Sequence, residues 1–365
     1  MRTALVRFMC LITASAWGVT AHAKIIFMGA YPSSLLMFDE AKGTIAGRIP
    51  LTTGLPSSIR LSLDKKTIYV TTNDHNGIEV VDIATRKVTN HFVLNTPTKN
   101  YRFNGGTPDP TGKLFYAIVT EIDKLADHYD VGKPKYTVID LQQQKILKSY
   151  EIAKEDESGA GGGRGGGFEI SKDGKYLYQF RDKVIILDTT DFKVVDRLDL
   201  AKPDLPGMEN VGFGGRLDSL DEPGQYISVF NAVDPYVHNR VFGIGHFDLT
   251  TRQMDFVPIG PSPTAMTGLQ VTPDKKNAYA VVSNGALGNK RCEFWHFDMT
   301  TKAVKDRSEF ACRSRFSFGM SGDGAKLYIY GAGFEIEVYD ATTFKYEKTW
   351  DLNNDITMAG LIEVD

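Results

Sequence analysis

The stretch that decides the fold is Ile59–Leu94, which reads IRLSLDKKTIYV (59–70), TTNDHNG (71–77), IEVVD (78–82), IATRK (83–87) and VTNHFVL (88–94). Between its turns, apolar and polar residues alternate with a period of two, the pattern of a half-buried strand. The turns carry Asp64-Lys65-Lys66, Asn76-Gly77 and Thr85-Arg86-Lys87. Such residues suit tight antiparallel reversals. The segment therefore reads as four short strands joined in succession.

The unit recurs. Phe168–Leu200 reads FEISKDGKYLYQF, RD, KVIILD, TTDFK, VVDRLDL, and Phe316–Leu352 reads FSFGMSGDGAKLYIY, GAG, FEIEVYD, ATTFK, YEKTWDL. Copies with longer loops span Phe103–Ile152, Val211–Ile259 and Thr267–Phe310. An aspartate closes the third strand of each copy, at Asp39, Asp82, Asp140, Asp188, Asp248, Asp298 and Asp340. A short carboxylate there accepts backbone N–H bonds at the reversal, so these residues read as structural. The first copy, Lys24–Leu51, has only three strands, and a lone strand, Thr357–Val364, follows the last. Pairing that tail into the first copy leaves no orphan edge. The expectation is an all-β chain folded as one seven-bladed β-propeller over 24–365, closed by its C-terminal strand pairing into the first blade. The one place that admits a helical turn is Glu121–Asp127.

Composition sets outer limits. Of 365 residues, 42% are hydrophobic and 24% charged, an ordinary globular composition. Lysine plus arginine (42) nearly balances aspartate plus glutamate (45), so no basic excess argues for a nucleic-acid partner. Residues 1–23 read as a signal peptide. Arg2 and Arg7 precede an uncharged apolar run, Phe8–Thr20, and Ala21-His22-Ala23 is an A-x-A cleavage site. The run is too short for a membrane span, and none follows. A periplasmic or secreted chain starting near Lys24 is expected. It keeps Cys292 and Cys312, 20 residues apart on neighbouring expected strands, and an exported context favours a disulfide between them. Closing that loop would stabilise by roughly 3 kcal/mol. The alternative is two buried free thiols.

Ile68-Tyr69-Val70-Thr71-Thr72-Asn73 resembles the signature of the YVTN-type propellers, as do SLDKKTIYV, SKDGKYLYQF, TPDKKNAYAV and SGDGAKLYIY. More narrowly, KIIFMGAYPSSLLMFD, the long loop TEIDKLADHYDVGKPKYTVID, the short loop YQFRDKVIILD and the end YDATTFKYEKTWDLNNDITMAGLIEV are similar to the β subunit of quinohaemoprotein amine dehydrogenase. That resemblance implies a periplasmic seven-bladed propeller without a cofactor of its own, in an assembly whose haem and quinone sit on other subunits. It carries no active-site residues onto this chain.

Motifs for chemistry on the chain itself are sparse. No Cys-x-x-Cys-His occurs, so no covalent haem is expected, and no Walker motif, zinc-type His spacing or Gly-x-Ser-x-Gly occurs. The run Gly159–Gly167 precedes a strand rather than a helix, so it reads as a connection rather than a phosphate cradle. His246 and His296 occupy equivalent positions and read as structural. The remaining candidate is the channel mouth, with Arg60, Tyr101, Arg102, Arg164, Asn210 and Arg315 as ligand-binding candidates and His75, His238 and Arg313 in the same loops. Converging arginines there would suit a carboxylate or an acidic partner; the plain alternative is solvated loop residues and interblade ion pairs. No metal or cofactor is expected on the chain. The reading is an exported, non-catalytic protein-binding scaffold or accessory subunit of a periplasmic redox assembly. The alternatives are a channel-mouth enzyme such as a lactone hydrolase or isomerase, and a cell-surface adhesion module.

Overall fold

The computed structural model describes residues 24–73, 77–157, 168–180, 183–199, 209–213, 224–233, 239–285, 287–331 and 333–364. The expected signal peptide, His75, His238, Arg164 and the rest of the glycine run lie outside the described residues. The described residues form antiparallel sheets and contain no α-helix; two single 3-10 turns, Lys154–Asp156 and Leu287–Asn289, are the helical elements among them.

Each sheet follows the sequence copies. Pro56–Leu61, Thr67–Thr72, Gly77–Asp82 and Lys87–Val93 pair in order into one sheet. Lys99–Pro108, Leu114–Lys124, Tyr129–Asp140 and Lys145–Glu151 form the next. The third comprises Phe168–Ile170, Tyr176–Phe180, Lys183–Asp188 and Val194–Asp199. The fourth comprises Glu209–Phe213, Gln225–Val233, Arg240–Asp248 and Met254–Pro261. In the fifth, Ala265–Met266 and Gln270–Val271 both pair with Asn277–Asn284, which leads to Arg291–Asp298 and Ala303–Phe310. A seven-stranded sheet runs Ser317–Met320, Lys326–Tyr330, Gly333–Asp340, Tyr346–Val364, Ile25–Ala30, Ser34–Asp39 and Thr44–Pro50. Its middle member is 19 residues long. The first part of that strand pairs with Gly333–Asp340, and the last part sets Ile25 opposite Val364 and Phe27 opposite Ile362.

Burial explains the residue pattern. All six residues of Ile25–Ala30 are buried, whereas the outermost Lys87–Val93 is largely exposed or half-buried. Inner strands with neighbours on both faces need apolar residues throughout, and an outer strand can alternate. Apolar clusters lie between sheets: Ile59, Leu61, Ile68 and Val70 pack with Phe27, Leu35, Met37 and Ile362. Tyr69, Ile78 and Phe92 pack with Phe115, Ala117 and Ile139.

The seven aspartates act at the reversals. Thr85 N–H and Oγ1–H donate to Asp82 Oδ1 at 2.7 and 2.6 Å, and Thr300 and Thr301 N–H donate to Asp298 Oδ1 at 2.8 and 3.0 Å. Hydrogen bonds from Thr301 and Thr300 hold the Asp298 carboxyl below the usual carboxylate range. The fourth residue after every one of these aspartates has a positive φ: Gly43, Arg86, Gln144, Phe192, Arg252, Lys302 and Phe344, between 52° and 66°. Glycine stands at one of these positions only. At two others the left-handed backbone turns a phenyl ring back into the core. Phe192 stacks on Tyr136 and Tyr150 with centroids 5.5 and 5.2 Å apart, and Phe344 stacks on Phe294 at 5.9 Å.

Glu121–Asp127 is not helical. Ile122, Asp123 and Lys124 extend the Leu114–Lys124 strand and pair with Val131, Asp130 and Tyr129 across a short reversal. The cross-strand ladder supplies the backbone partners that a helical turn would have supplied. Cys292, on Arg291–Asp298, and Cys312, just past Ala303–Phe310, have Cα atoms 5.1 Å apart, within the span of a disulfide.

Replacing Phe192 with alanine should lower unfolding free energy by about 3 kcal/mol, since it opens a cavity among Tyr116, Tyr136, Tyr150 and Phe168 without relieving the left-handed backbone. Urea unfolding checks this; a loss under about 1 kcal/mol would show that the ring carries little of the packing.

Candidate functional site

The innermost strands face the middle of the sheet array, and the repeat sets their register. Ser62 Oγ donates to Asp64 Oδ1 at 2.6 Å, and Ser171 Oγ donates to Asp173 Oδ1 at 2.7 Å. Each serine marks the end of its first strand. Counting back two residues places Arg60 and Glu169 at equivalent positions, and Thr272 places Gln270 there likewise. Gln270 is fully buried.

Arg60 Nη2 lies 3.3 Å from Glu169 Oε1, with the two side chains 25% and 12% exposed. The pair joins the first strands of two sheets that are not successive in the chain, since the sheet beginning with Lys99–Pro108 lies between them in sequence. That strand carries Gly105 and Gly106 at an irregular register. A Cβ on Gly106 would lie 2.3 Å from the Phe115 ring and 2.9 Å from the Tyr116 carbonyl, so no larger residue fits.

The other candidates behave differently. Tyr101 is half-buried against the Phe115–Ile139 cluster, its N–H donates to Asn95 Oδ1 at 2.8 Å, and burial with the Glu121 charge pushes its phenol up. Arg102 is exposed on the strand paired with Leu114–Lys124, where it stands opposite Thr120. Arg315 is exposed in the connection before Ser317–Met320. Asn210 lies in the Glu209–Phe213 strand, and its side chain is outside the described residues, as is all of Arg164. Of the six, Arg60 has a described ion pair, and its partner, Glu169, belongs to no motif of the sequence. Arg313 is also committed to carboxylates, at 3.2 Å from Glu335 and 3.7 Å from Glu337.

Two buried acids anchor the connections around this region. Glu79 is fully buried, and its Oε1 accepts from the N–H groups of Thr52 and Thr53 at 2.5 and 2.6 Å and from Thr53 Oγ1 at 2.9 Å. Asp156, 1% exposed, meets Lys183 Nζ at 2.7 Å and Arg197 Nη2 at 2.9 Å. Burial pushes its carboxyl up, but the Arg197 and Lys183 hydrogen bonds outweigh burial and hold it below the usual carboxylate range. His296 Nε2 lies 2.7 Å from Asn277 Oδ1 and its ring stacks on Tyr279, while His246 meets Gln225; burial lowers both imidazoles. Among the described residues, no three His, Cys, Asp or Glu side chains are grouped as a metal site.

Among the described residues, one hairpin carries several exposed apolar side chains. Leu114–Lys124 and Tyr129–Asp140 have 11 and 12 residues, against 6 each for Thr67–Thr72 and Gly77–Asp82. Leu125, Tyr129 and Val131 near its tip are 51%, 65% and 60% exposed. Tyr129 and Val131, two residues apart, share one face of the strand. Close to the tip, Lys99 Nζ lies 3.0 Å from Glu121 and 3.5 Å from Asp123.

No protein-family model matches the chain. No curated protein matches it in sequence. Solved structures do. AztD from Citrobacter koseri matches with a TM-score of 0.52 at 15% identity, covering 94% of this chain and 98% of that one. The periplasmic gluconolactonase PpgL of Pseudomonas aeruginosa matches with a TM-score of 0.53 at 12% identity, covering 94% and 99%. Kuenenia stuttgartiensis hydrazine synthase matches with a TM-score of 0.50 at 15% identity, covering 86% and 90%. Among the described residues, no helix is long and apolar enough to cross a membrane.

A double-mutant cycle over Arg60→Met and Glu169→Gln should give a coupling of about 1 kcal/mol in unfolding free energy, as expected of a half-buried pair. Additive effects would mean that the two charges do not meet in solution. Likeness at 12–15% identity bears on the fold alone, and with the sheet order above it gives this chain an all-β, β-propeller arrangement.

Proposed function

We propose that this chain is an exported seven-bladed propeller that serves as a protein-binding scaffold in a periplasmic redox assembly resembling the amine dehydrogenases, with haem or quinone on its partners. The seven-blade count rests on treating the seven-stranded sheet as two blades that share Tyr346–Val364, and on the seven equivalent turns that follow Asp39 through Asp340. Ring closure is then the pairing of Leu361–Val364 with Ile25–Met28. Export agrees with the basic, apolar, A-x-A order of residues 1–23, and a Cys292–Cys312 disulfide agrees with both that address and the 5.1 Å Cα separation.

The observation that carries the scaffold reading is the long hairpin. It projects Leu125, Tyr129 and Val131 into solvent on strands stiffened by the Lys99–Glu121 pair, which fits a docking element better than a loop left over from folding. At the channel, Arg60 is neutralised by Glu169, so the arginine there serves the frame before any ligand.

Gentle purification from the native envelope tests this. The wild-type chain should co-elute with a haem-bearing polypeptide, with no free thiol by mass, and Tyr129→Ser with Val131→Ser should release that polypeptide while leaving the thermal midpoint unchanged. A bare monomer, or a purified chain that hydrolyses lactones on its own, would count against the proposal.

A further inference from the structure

Charge is unbalanced where the two ends of the chain meet. Glu363, in the last part of Tyr346–Val364, is 3% exposed at its side chain, and its Oε2 accepts from Gly322 N–H at 2.5 Å. Gly322 permits that approach, since a Cβ there would lie 2.3 Å from Glu363 Oε1. No backbone N–H among the described residues donates to Glu363 Oε1, and the cation beside it is Lys24 Nζ at 3.2 Å. Glu40 is part of the same cluster: Tyr328 O–H donates to its Oε1, and its own N–H donates to the Lys24 carbonyl at 3.2 Å. Asp323 acts on Lys24 and Tyr328 from the turn that precedes Lys326–Tyr330. Three carboxylates, Glu363, Asp323 and Glu40, thus act on the ammonium of Lys24. Burial, then the Glu40 charge, push the Glu363 carboxyl up, the mark of a carboxylate short of positive charge.

Lys24 is also the residue that cleavage after Ala23 would make the first of the chain. We propose that removal of the leader completes this seam electrostatically: the new α-ammonium of Lys24 supplies a second cation to the Glu40–Glu363–Asp323 cluster, so that the mature chain closes its ring more tightly than the precursor. This rests on the exported reading above. In the precursor the Lys24 nitrogen is a neutral amide; hydrolysis of the Ala23–Lys24 bond by water yields the Ala23 carboxylate, which departs with the leader, and the amine, which takes up a proton. A precursor weakened at its closing strand would suit a chain that must cross a membrane unfolded.

The test compares full mature chains. One begins at Lys24 with a free α-amine. A second carries two extra residues, Gly-Ser, before Lys24, which moves the ammonium away without changing net charge. The free Lys24 form is expected to melt several degrees higher, and the gap is expected to narrow in paired Glu363→Gln chains, where one of the three carboxylates is neutral. Equal midpoints in the first pair would overturn the proposal, as would a gap that Glu363→Gln leaves undiminished. Mass analysis of the exported protein separates this from a failure of the address itself: an N-terminus elsewhere than Lys24 overturns the processing step even if the two made chains differ.

Discussion

A sheet edge made of fully buried residues must be covered, and the fold turns on that constraint. Ile25–Ala30 presents six buried residues and a row of backbone N–H and C=O groups on its inner side. Left open, that row would lose its hydrogen bonds in a setting where water cannot replace them, or would recruit another chain. Ile362, Glu363 and Val364 cover it in antiparallel register, although more than three hundred residues separate the partners. The cover is apolar on both faces: Leu361 packs with Ile26, Met28 and Trp350, and Ile362 packs with Phe27, Ile59 and Ile68. One charged residue interrupts it, Glu363, so this pairing carries a buried carboxylate.

The same economy runs through the sheets. Each reversal after a third strand takes an aspartate whose carboxylate collects the N–H groups of the next residues, and a left-handed residue that sends the chain back. Because the frame is held at these turns and by apolar faces, equivalent positions elsewhere are free to differ. The position two before the first-strand serine or threonine shows this. It is Arg60 in one sheet, Glu169 in another and buried Gln270 in a third, and the opposite charges of the first two meet. A repeat that carries different side chains at one level can build a polar centre without changing its backbone.

How much was legible follows from range. Local pattern gave away the strands, the turn aspartates and the structural histidines, since each depends on residues a few places apart. The left-handed positions after the aspartates were hidden because Arg86, Gln144, Phe192, Arg252, Lys302 and Phe344 stand where glycine would have announced them. Glu121–Asp127 misled because Glu121–Lys124 are half-buried on both faces of the strand, so the alternation is lost there. Arg60 was read as one of several arginines converging on a ligand, but its partner lies 109 residues away and looked like an ordinary strand residue. Comparing one position across all copies, rather than scanning for motifs, would have found Glu169. The Asp156–Lys183–Arg197 cluster has no such signal, since its members fall at unrelated places in the repeat.

Hydrogen exchange at the closing strand tests the central claim most directly. If the tail is an integral inner strand, the amides of Leu361, Ile362 and Val364 should exchange as slowly as those of Ile68 and Val70, deep in a neighbouring sheet, and only by global unfolding. Tail amides that exchange at the rate of an unfolded segment, while Ile68 and Val70 remain protected, would show that the two ends do not meet and that the ring is open.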